Sequence, residues 1–346
     1  MDCCNNKYDY DLAIIGSGSA AFAAAIKAAE LGKSVTIIEK STLGGTCVNF
    51  GCVPSKTLIR AAEAKHRAEN ISFKGLSQQR VEVDFKTLID NKSELVESLR
   101  MGKYQSVMDN NENIQLIKGM AQFKDQHTLD VDGKNITADK VLISSGSSPF
   151  IPPIEGLENV NYLTSKTAFE LSELPDSLAV IGGGYIALET AQMFARLGSK
   201  VTIIQRSEIL FQEDRDISKW MKEYFESEGI EVLNQAQTTQ VKESSNGVEI
   251  TLTCNGESQH KTFSKVLVAT GRKPNTKNLN LEAIKVKTDK SGAVITNEYG
   301  QTNIDKIYAA GDVLTTSALV YTAAFEGNLA AENAFLGNTR KANYEV

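Results

Sequence analysis

The chain has 346 residues, of which 41% are hydrophobic and 23% are charged, as in ordinary globular proteins. This length predicts two domains, and the net charge of −6 gives no electrostatic reason to bind nucleic acid. No apolar run reaches the length of a membrane span, and the N-terminus lacks the features of a signal peptide. We therefore expect a cytoplasmic protein, in which a disulfide would be catalytic or redox-sensing rather than structural.

The first predicted unit is residues 11–39, DLAIIGSGSAAFAAAIKAAELGKSVTIIE. An apolar strand, an Ala-rich helix and a second apolar strand follow one another, which is the pattern of a βαβ unit. The turn between strand and helix reads G-x-G-x-x-A, with Gly16, Gly18 and Ala21. The first glycine permits a tight turn, the second lets the backbone approach a pyrophosphate, and the small third residue lets helix pack on strand. Glu39 at the end of the unit suits a free ribose 2′-hydroxyl, as in FAD.

The segment GGTCVNFGCVPSK follows, with Cys47 and Cys52 between glycines. In a straight helix these positions would be about 7.5 Å apart, beyond the roughly 7 Å that a disulfide tolerates between Cα atoms. They can pair only if the chain leaves regular helix. Gly51 permits that departure, and Pro54 is suited to the first turn of a new helix beyond it. Cys52 would then lie at a helix N-terminus, where a thiolate is favoured. We interpret the pair as a redox-active disulfide; two ordinary loop thiols are the alternative.

Between this segment and the second unit, we expect helices over 55–69 and around 88–108, and then short strands. Lys56 lies one helical turn beyond Cys52; it is either exposed or, if buried, in need of an anionic partner. ADKVLISSGSSPFIPP (138–153) predicts a strand that leads into a crossing between domains. FSKVLVATGRKPN (263–275) repeats that pattern, so we place the crossings near 150 and 274.

Residues 177–205, SLAVIGGGYIALETAQMFARLGSKVTIIQ, align with 11–39 without a gap. The turn again reads G-x-G-x-x-A, with Gly182, Gly184 and Ala187. Two such turns in register are stronger support for two dinucleotide sites than either alone, although two ordinary α/β turns are the alternative. Gln205 replaces the acid of the first copy and Arg206 follows it, which favours NADPH over NADH.

The last predicted elements are a strand in DKIYAAGDV (305–313) and a helix over 320–335. The fold class is therefore α/β, with two Rossmann-like FAD- and NAD(P)-binding domains, the second inserted into the first. Several residues fall in no chemical motif. Cys254 is expected to be a small packing residue in a strand, and Cys3 and Cys4 either bind metal or lie in a frayed terminus. The three histidines, His66, His127 and His260, are expected on the surface or on helix faces.

Taken together, GGTCVNFGCVPSK, the paired glycine turns, ATGRKPN and IYAAGDV resemble the flavin-dependent pyridine nucleotide–disulfide oxidoreductases over essentially the whole chain. TCVNFGCVPSK, ARLGSKVT, QRSE and VATGRKPNT are most similar to the mercuric reductases of that family. The resemblance implies an FAD-binding domain at 1–150 and 274–346 and an NAD(P)H-binding domain at 151–273. The C-terminal interface domain of the family is not in this sequence. Full-length members are expected to be homodimers, whereas we expect this chain to associate weakly or not at all.

The resemblance also implies a role for each site residue. Cys52 would be the thiolate that contacts the flavin, and Cys47 the thiol that meets the substrate. Lys56, paired with Glu189, would lie near the flavin, and Tyr185 would cover its nicotinamide face. The implied cofactor-binding residues are Gly16, Gly18, Ala21, Glu39, Gly45, Thr46, Gly146, Gly182, Gly184, Ala187, Gln205, Arg206, Gly271 and Asp312.

The implied activity passes electrons from NADPH through FAD to the Cys47/Cys52 disulfide. The resulting dithiol would hold Hg(II), a soft ion that thiolates prefer, for reduction to Hg(0). A reductase for a small disulfide, of the dihydrolipoamide dehydrogenase or glutathione reductase type, is the first alternative. The second alternative is a flavin-binding fragment that binds a thiophilic metal without turnover, because the interface domain and its catalytic residues are missing.

Overall fold

The computed structural model describes residues 7–254 and 256–344, so Cys3 and Cys4 lie outside the described residues. Within these residues the chain folds into two compact units. Unit 1 contains the described residues of 1–49, 97–148 and 273–346, and unit 2 contains those of 50–96 and 149–272. No helix in the described part of the chain has the length and apolarity that crossing a bilayer requires.

Helices and strands alternate around the two glycine turns, whereas other stretches of the chain contain successive helices or successive strands. The helices are α1 Ser19–Glu30, α2 Gly45–Asn49, α3 Cys52–Glu69, α4 Phe85–Arg100, α5 Ser106–Asp109, α6 Ser165–Ala168, α7 Tyr185–Leu197, α8 Arg215–Ser227 and α9 Val320–Leu336, with a π-helical turn at Met101–Gln105 and short 3₁₀ turns at Leu157–Asn159 and Leu281–Ile284. The strands are β1 Tyr10–Ile15, β2 Val35–Glu39, β3 Ile114–Lys118, β4 Ala121–Phe123, β5 Thr128–Val131, β6 Lys134–Ile143, β7 Ser147–Pro149, β8 Ser177–Ile181, β9 Lys200–Ile204, β10 Glu231–Leu233, β11 Ala236–Ser244, β12 Gly247–Cys254, β13 Glu257–Phe263, β14 Lys265–Val268, β15 Arg272–Pro274 and β16 Ile307–Ala309.

Unit 1 is built on a mixed sheet in the order β3-β2-β1-β6-β5-β4, with β16 also paired to β6. The pairs among β3, β2, β1, β6 and β16 are parallel, whereas β5 pairs antiparallel with both β4 and β6. Helices α1 and α9 cover one face, where their alanines pack on the apolar residues of β1 and β2. A second apolar cluster lies on the other face. Such buried parallel strands carry near-continuous apolar runs, as the sequence predicted.

Unit 2 contains a parallel sheet in the order β10-β9-β8-β14 and a separate antiparallel sheet in the order β11-β12-β13. Helices α3 and α7 belong to one apolar cluster with the parallel sheet. The antiparallel strands share the second cluster of this unit with β8 and β14. Each unit therefore has a βαβ element with a core on both faces, which confirms the predicted α/β fold with two Rossmann-like nucleotide-binding folds.

The individual elements agree closely with the sequence predictions, and they add detail. The helix predicted over 55–69 begins earlier, at Cys52, and the one predicted over 320–335 is α9. The helix expected around 88–108 is α4 followed by a π-helical turn and α5. Cys254 ends β12 and packs partly buried against the apolar cluster of unit 2.

The compact units do not follow the predicted domain boundaries throughout. The chain changes unit after Ser148 and after Arg272, near the predicted crossings at 150 and 274, and also after Asn49 and after Val96. The segment 50–96, which the resemblance assigns to the FAD-binding domain, groups with unit 2. The reason is packing, since Leu58 and Phe85 belong to the same buried cluster as α7. The functional domain boundaries themselves stay a prediction.

A nearly buried ion pair in unit 2 joins Arg196 in the last turn of α7 to Glu228, which directly follows α8. Arg196 donates from Nε to Glu228 Oε2 at 2.8 Å and from Nη2 to Oε1 at 2.6 Å, and Gln192 adds a third hydrogen bond at 3.0 Å. The two charged side chains are 17% and 9% exposed. Bidentate geometry at low exposure makes this pair a stronger stabilising element than the surface pairs around it.

We predict that Glu228→Gln lowers the free energy of unfolding by about 3 kcal/mol at pH 7, because Arg196 loses its charged partner in a dry site. Burial opposes ionisation of Glu228, but the hydrogen bonds and charge of Arg196 prevail and hold the pKa of that carboxyl below its ordinary value. The stabilisation is thus complete above an ordinary carboxyl pKa of about 4.3 and disappears as the pH falls through the lower folded-state value.

Urea unfolding of wild type and variant at pH 7 and at pH 3 measures both effects, and the difference between them should shrink in acid. Glu226→Gln, at the end of α8 and two residues before Glu228, is the matched control, since the side chains of its pair with Lys222 at 3.4 Å are 46% and 38% exposed. We expect that control to change stability by less than about 0.5 kcal/mol. Equal losses in the two variants would contradict the assignment.

Candidate functional site

The first glycine turn joins β1 to α1 and is held by close backbone contact. Gly16 has φ +105°, and a Cβ at this position would lie 2.4 Å from the Ser144 carbonyl oxygen. Gly18 is different, because the nearest heavy atom to an added Cβ would be Gly45 Cα at 3.9 Å. The first glycine is therefore required by the protein's own backbone packing, whereas a Cβ at the second would make only an ordinary van der Waals contact with Gly45.

The start of α1 offers hydrogen-bond donors beside Gly18. Gly18 is the N-cap and no side chain caps the helix, so the amides of its first turn are not satisfied by a capping side chain. Ala21 is fully buried beneath the turn. Gly45 lies directly opposite, since a Cβ there would lie 2.6 Å from Gly18 Cα. An uncapped helix N-terminus beside small residues is suited to an anionic group such as a phosphate.

Glu39 lies at the end of β2 and is held by two hydroxyl-bearing residues. Ser17 donates to Glu39 Oε2 at 2.6 Å, and the Ser41 amide donates to Oε1 at 2.7 Å. The same Ser17 hydroxyl accepts from the Gly44 amide at 3.2 Å. Sequence reasoning identified Glu39 but missed both serines, because Ser17 occupies a variable position of the G-x-G-x-x-A motif.

Asp312 follows β16 in the same unit and is oriented in a similar way. The Ser147 hydroxyl donates to Asp312 Oδ2 at 2.9 Å, so residues from two distant parts of the chain meet at this carboxylate. Gly146, which directly precedes Ser147, has φ +69°, a left-handed conformation that favours glycine. Thr46 on α2 is exposed. Ser147 was another residue that the sequence patterns did not single out.

The second glycine turn, between β8 and α7, repeats the geometry of the first. Gly182 has φ +126°, and an added Cβ would lie 2.3 Å from the Ala269 carbonyl oxygen. At Gly184 an added Cβ would meet nothing within 4 Å. Gly184 is again an N-cap without a side-chain hydrogen bond, and Ala187 is fully buried. Both copies of the motif therefore combine one glycine that backbone packing requires with a second that it does not require, and the space at Gly184 is open.

This turn borders a cleft of about 630 Å³ that lies within unit 2. A volume of this size matches small-molecule and cofactor sites. Six of the residues predicted from the sequence line the cleft: Gly182, Gly184, Tyr185, Gln205, Arg206 and Gly271.

Gln205 is nearly buried at the end of β9, and its side-chain amide donates to the Ser207 hydroxyl at 2.7 Å. The Ser207 hydroxyl in turn donates to the Glu208 carbonyl at 3.2 Å. Arg206 is exposed beside them on the cleft wall. The neutral Gln205 and the exposed cation Arg206 make this end of the cleft suitable for an anionic substituent.

Tyr185 is the first residue of α7, and its side chain is largely exposed on the cleft wall. Its hydroxyl donates a short hydrogen bond to the Glu213 carboxylate. That hydrogen bond raises the pKa of the Tyr185 phenol above its ordinary value. Glu213 was not identified from the sequence, since it lies in a loop well after the glycine turn and belongs to no motif.

The two cysteines flank a break between helices. Helix α2 ends at Asn49 and α3 begins at Cys52, with Gly51 as a non-helical N-cap (φ −120°, ψ −110°). The predicted departure from regular helix is therefore present. Cys47 is half-buried and Cys52 is exposed in the first turn of α3. A disulfide between them stays a prediction.

Lys56 and Glu189 are brought together within unit 2. Lys56 Nζ lies 2.5 Å from Glu189 Oε1, and the two side chains are 57% and 43% exposed. Lys56 therefore has the anionic partner expected from the resemblance, but in this chain it is not buried. Solvent screens such a pair, so the ion pair orients the two side chains more than it stabilises the fold.

The remaining candidates lie away from these residues. Within residues 7–254 and 256–344, no group of three or more His, Cys, Asp or Glu side chains could hold a metal ion. His66 lies on α3 and His260 lies exposed on β13, as expected from the sequence. His127 is instead half-buried outside any helix, where it stacks on Tyr8.

Comparison with known proteins identifies relatives for nearly the whole chain. The model of the pyridine nucleotide-disulphide oxidoreductase family matches residues 10–327. A mercuric reductase of Lysinibacillus sphaericus is 46% identical over 99% of this chain and 62% of its own length. A mercuric reductase of Staphylococcus aureus is 48% identical over 95% of this chain and 60% of its own length. The chain thus spans about 60% of the length of these curated relatives.

A solved structure agrees with these matches. The HOCl-induced flavoprotein disulfide reductase RclA from Escherichia coli, solved as a Cu(II) complex, superposes with a TM-score of 0.85 at 30% identity, covering 96% of this chain and 72% of that one. The paired glycine turns, the cysteine segment and the extent of the family match lead to one conclusion. This chain belongs to the pyridine nucleotide-disulphide oxidoreductase family.

Proposed function

We propose that this chain is the nucleotide-binding and redox part of an NADPH- and FAD-dependent reductase whose substrate is Hg(II). The observation that carries the proposal is the set of seven mercuric reductases that are 42–48% identical to the chain over at least 93% of its length. The balanced overall reaction is NADPH plus Hg(II) giving NADP⁺, a proton and Hg(0). No additional oxidant or reductant is needed.

The residues of unit 1 fit FAD. The uncapped start of α1, beside the side-chain-free residues Gly18 and Gly45, suits the pyrophosphate. Glu39, held by Ser17 and Ser41, presents a carboxylate for the ribose hydroxyls. Asp312, held by Ser147, is assigned to the ribityl chain. When bound, FAD supplies the two-electron chemistry that amino-acid side chains lack.

The cleft of unit 2 fits NADPH. Gly184 leaves open space at the start of α7, so the coenzyme pyrophosphate can meet the amides there. Gln205 carries no negative charge and Arg206 carries a positive one, so neither repels a ribose 2′-phosphate. Tyr185 borders the cleft and is assigned to the nicotinamide end. Its hydroxyl is held by Glu213, which orients the ring.

The residues assigned to the redox step are Cys47, Cys52, Lys56 and Glu189. Cys52 lies in the first turn of α3, where the helix dipole stabilises a thiolate. Thiolates are the protein ligands that soft ions prefer, so the two cysteines are assigned as ligands of the substrate Hg(II). Glu189 holds the Lys56 ammonium at 2.5 Å and thereby sets its direction.

A small disulfide is the second candidate substrate, because the solved relative from Escherichia coli is a flavoprotein disulfide reductase. Mercury-dependent NADPH oxidation, compared with oxidation in the presence of lipoamide or oxidised glutathione, discriminates the two. We expect Hg(II) to be the best acceptor by at least about tenfold. Equal or faster oxidation with either disulfide would reject mercury as the substrate.

The role of Cys52 gives a spectroscopic prediction. Anaerobic titration of the FAD-loaded chain with NADPH is expected to produce a long-wavelength charge-transfer band, because a thiolate would contact the flavin. Cys52→Ser should abolish that band. The variant should still bind FAD, because Cys52 does not belong to the proposed ribose or pyrophosphate sites. Cys254→Ser is the control and should keep the band. A band that persists in Cys52→Ser would remove this cysteine from its assigned role.

Gln205→Glu tests coenzyme choice. A carboxylate at this buried strand end would repel the 2′-phosphate, so we expect the preference for NADPH over NADH to fall by at least about tenfold. Gln205→Asn is the matched neutral control and should retain the preference. The measurement is the pair of dissociation constants for NADPH and NADH with each variant. An unchanged ratio in Gln205→Glu would refute the assignment of this position.

A further inference from the structure

Glu326 is a buried carboxylate that the sites described above do not use. It lies on α9 and is 3% exposed. Its Oε2 accepts from the Gly311 amide at 2.7 Å, its Oε1 accepts from the Tyr344 hydroxyl at 2.9 Å, and Thr316 adds a side-chain hydrogen bond. Burial raises the pKa of Glu326, although the hydrogen bonds from these donors act to lower it. A buried carboxyl with this many partners fixes the segments that supply them.

One of those segments belongs to the proposed FAD site. Gly311 directly precedes Asp312, and an added Cβ at Gly311 would lie 3.2 Å from Ala20 Cβ. Ala20 lies in the first turn of α1, just after the first glycine turn. A Cβ at Gly327, the neighbour of Glu326, would lie 2.0 Å from the Ala20 carbonyl oxygen. Helix α9 thus touches the start of α1 at the level of Glu326, beneath the proposed pyrophosphate site.

The other segment is the C-terminal segment, residues 337–344, which folds back along α9. Asn333, 1% exposed, accepts from the Thr339 and Arg340 amides at 3.1 and 3.0 Å and donates to the Arg340 carbonyl at 2.7 Å. Further along, the Tyr344 ring packs edge-on against Phe325 with centroids 6.3 Å apart. The C-terminal segment therefore ends on the same carboxylate that holds Gly311.

We propose that Glu326 is a positioning residue for FAD and that, through Tyr344, it couples FAD binding to docking of the C-terminal segment. The carboxyl holds the Gly311–Asp312 turn in one conformation, so the turn is organised before the ligand arrives. The Tyr344 hydroxyl holds the carboxyl in that orientation. Linkage then requires that FAD stabilises the docked segment by the same factor by which the docked segment strengthens FAD binding. This inference rests on the proposed FAD site in unit 1.

The first test measures FAD dissociation constants by flavin fluorescence for the full chain and for Glu326→Gln, Tyr344→Phe and the double variant. We expect losses of about tenfold for Glu326→Gln and about threefold for Tyr344→Phe, with the double variant no weaker than Glu326→Gln alone. Tyr321→Phe, an exposed tyrosine on the same helix, is the control and should bind as wild type. Thermal unfolding without FAD shows whether each variant is folded. If Glu326→Gln folds poorly, Tyr344→Phe still tests the proposal, because it keeps the ring that packs on Phe325.

The second test uses the reciprocal effect, which a merely structural role would not produce. Trypsin can cleave after Arg340 or Lys341, and mass spectrometry follows release of the terminal peptide. FAD should slow that cleavage about threefold in the wild type and not in Tyr344→Phe, which matches the expected affinity change. If wild type binds FAD but the variants bind equally well, or if FAD does not protect the segment, this inference is overturned. If wild type binds no FAD, the proposed function fails instead and takes this inference with it.

Discussion

Inside each unit, the fold depends on the close approach of one glycine Cα to a backbone carbonyl. A Cβ added at Gly16 or at Gly182 would lie only 2.4 or 2.3 Å, respectively, from a carbonyl oxygen on a neighbouring segment. Only glycine permits that contact together with a positive φ. The contact brings each glycine turn against the residue that follows a neighbouring strand, Ser144 after β6 and Ala269 after β14. The next glycine of each motif makes no such close contact with a carbonyl, and at Gly184 an added Cβ would meet nothing within 4 Å.

The carbonyl that receives each glycine comes from a repeated element. Ser144 follows β6 and Ala269 follows β14, the two strands whose sequences lead into the crossings between units. Each nucleotide fold is therefore a repeat of three parts, which are the glycine turn, the strand beside it and the crossing that follows. This explains why the sequence similarity between 138–153 and 263–275 accompanies that between the two βαβ units.

Several site residues are oriented by neighbours that themselves have no direct role in the proposed chemistry. Serine hydroxyls hold Glu39, Asp312 and Gln205, while a carboxylate holds the Tyr185 hydroxyl. Glu326 extends this arrangement, since one buried carboxyl joins the Gly311–Asp312 turn to the C-terminal segment. These contacts pre-organise polar groups, and pre-organisation lowers the cost of binding a charged coenzyme.

The sequence by itself determined the fold class, the two glycine turns and the break between the helices that carry Cys47 and Cys52. These features depend on local periodicity and on glycine, whose effects act over a few residues. Tertiary structure decided what the pattern could not. Helix α3 packs with α7, and Lys56 is exposed. Ser17 binds Glu39, Glu213 binds Tyr185, and Glu326 binds the Gly311 amide. Each of these depends on contacts between residues far apart in the chain, which have no signature in a single sequence because many residue pairs would satisfy the same local pattern.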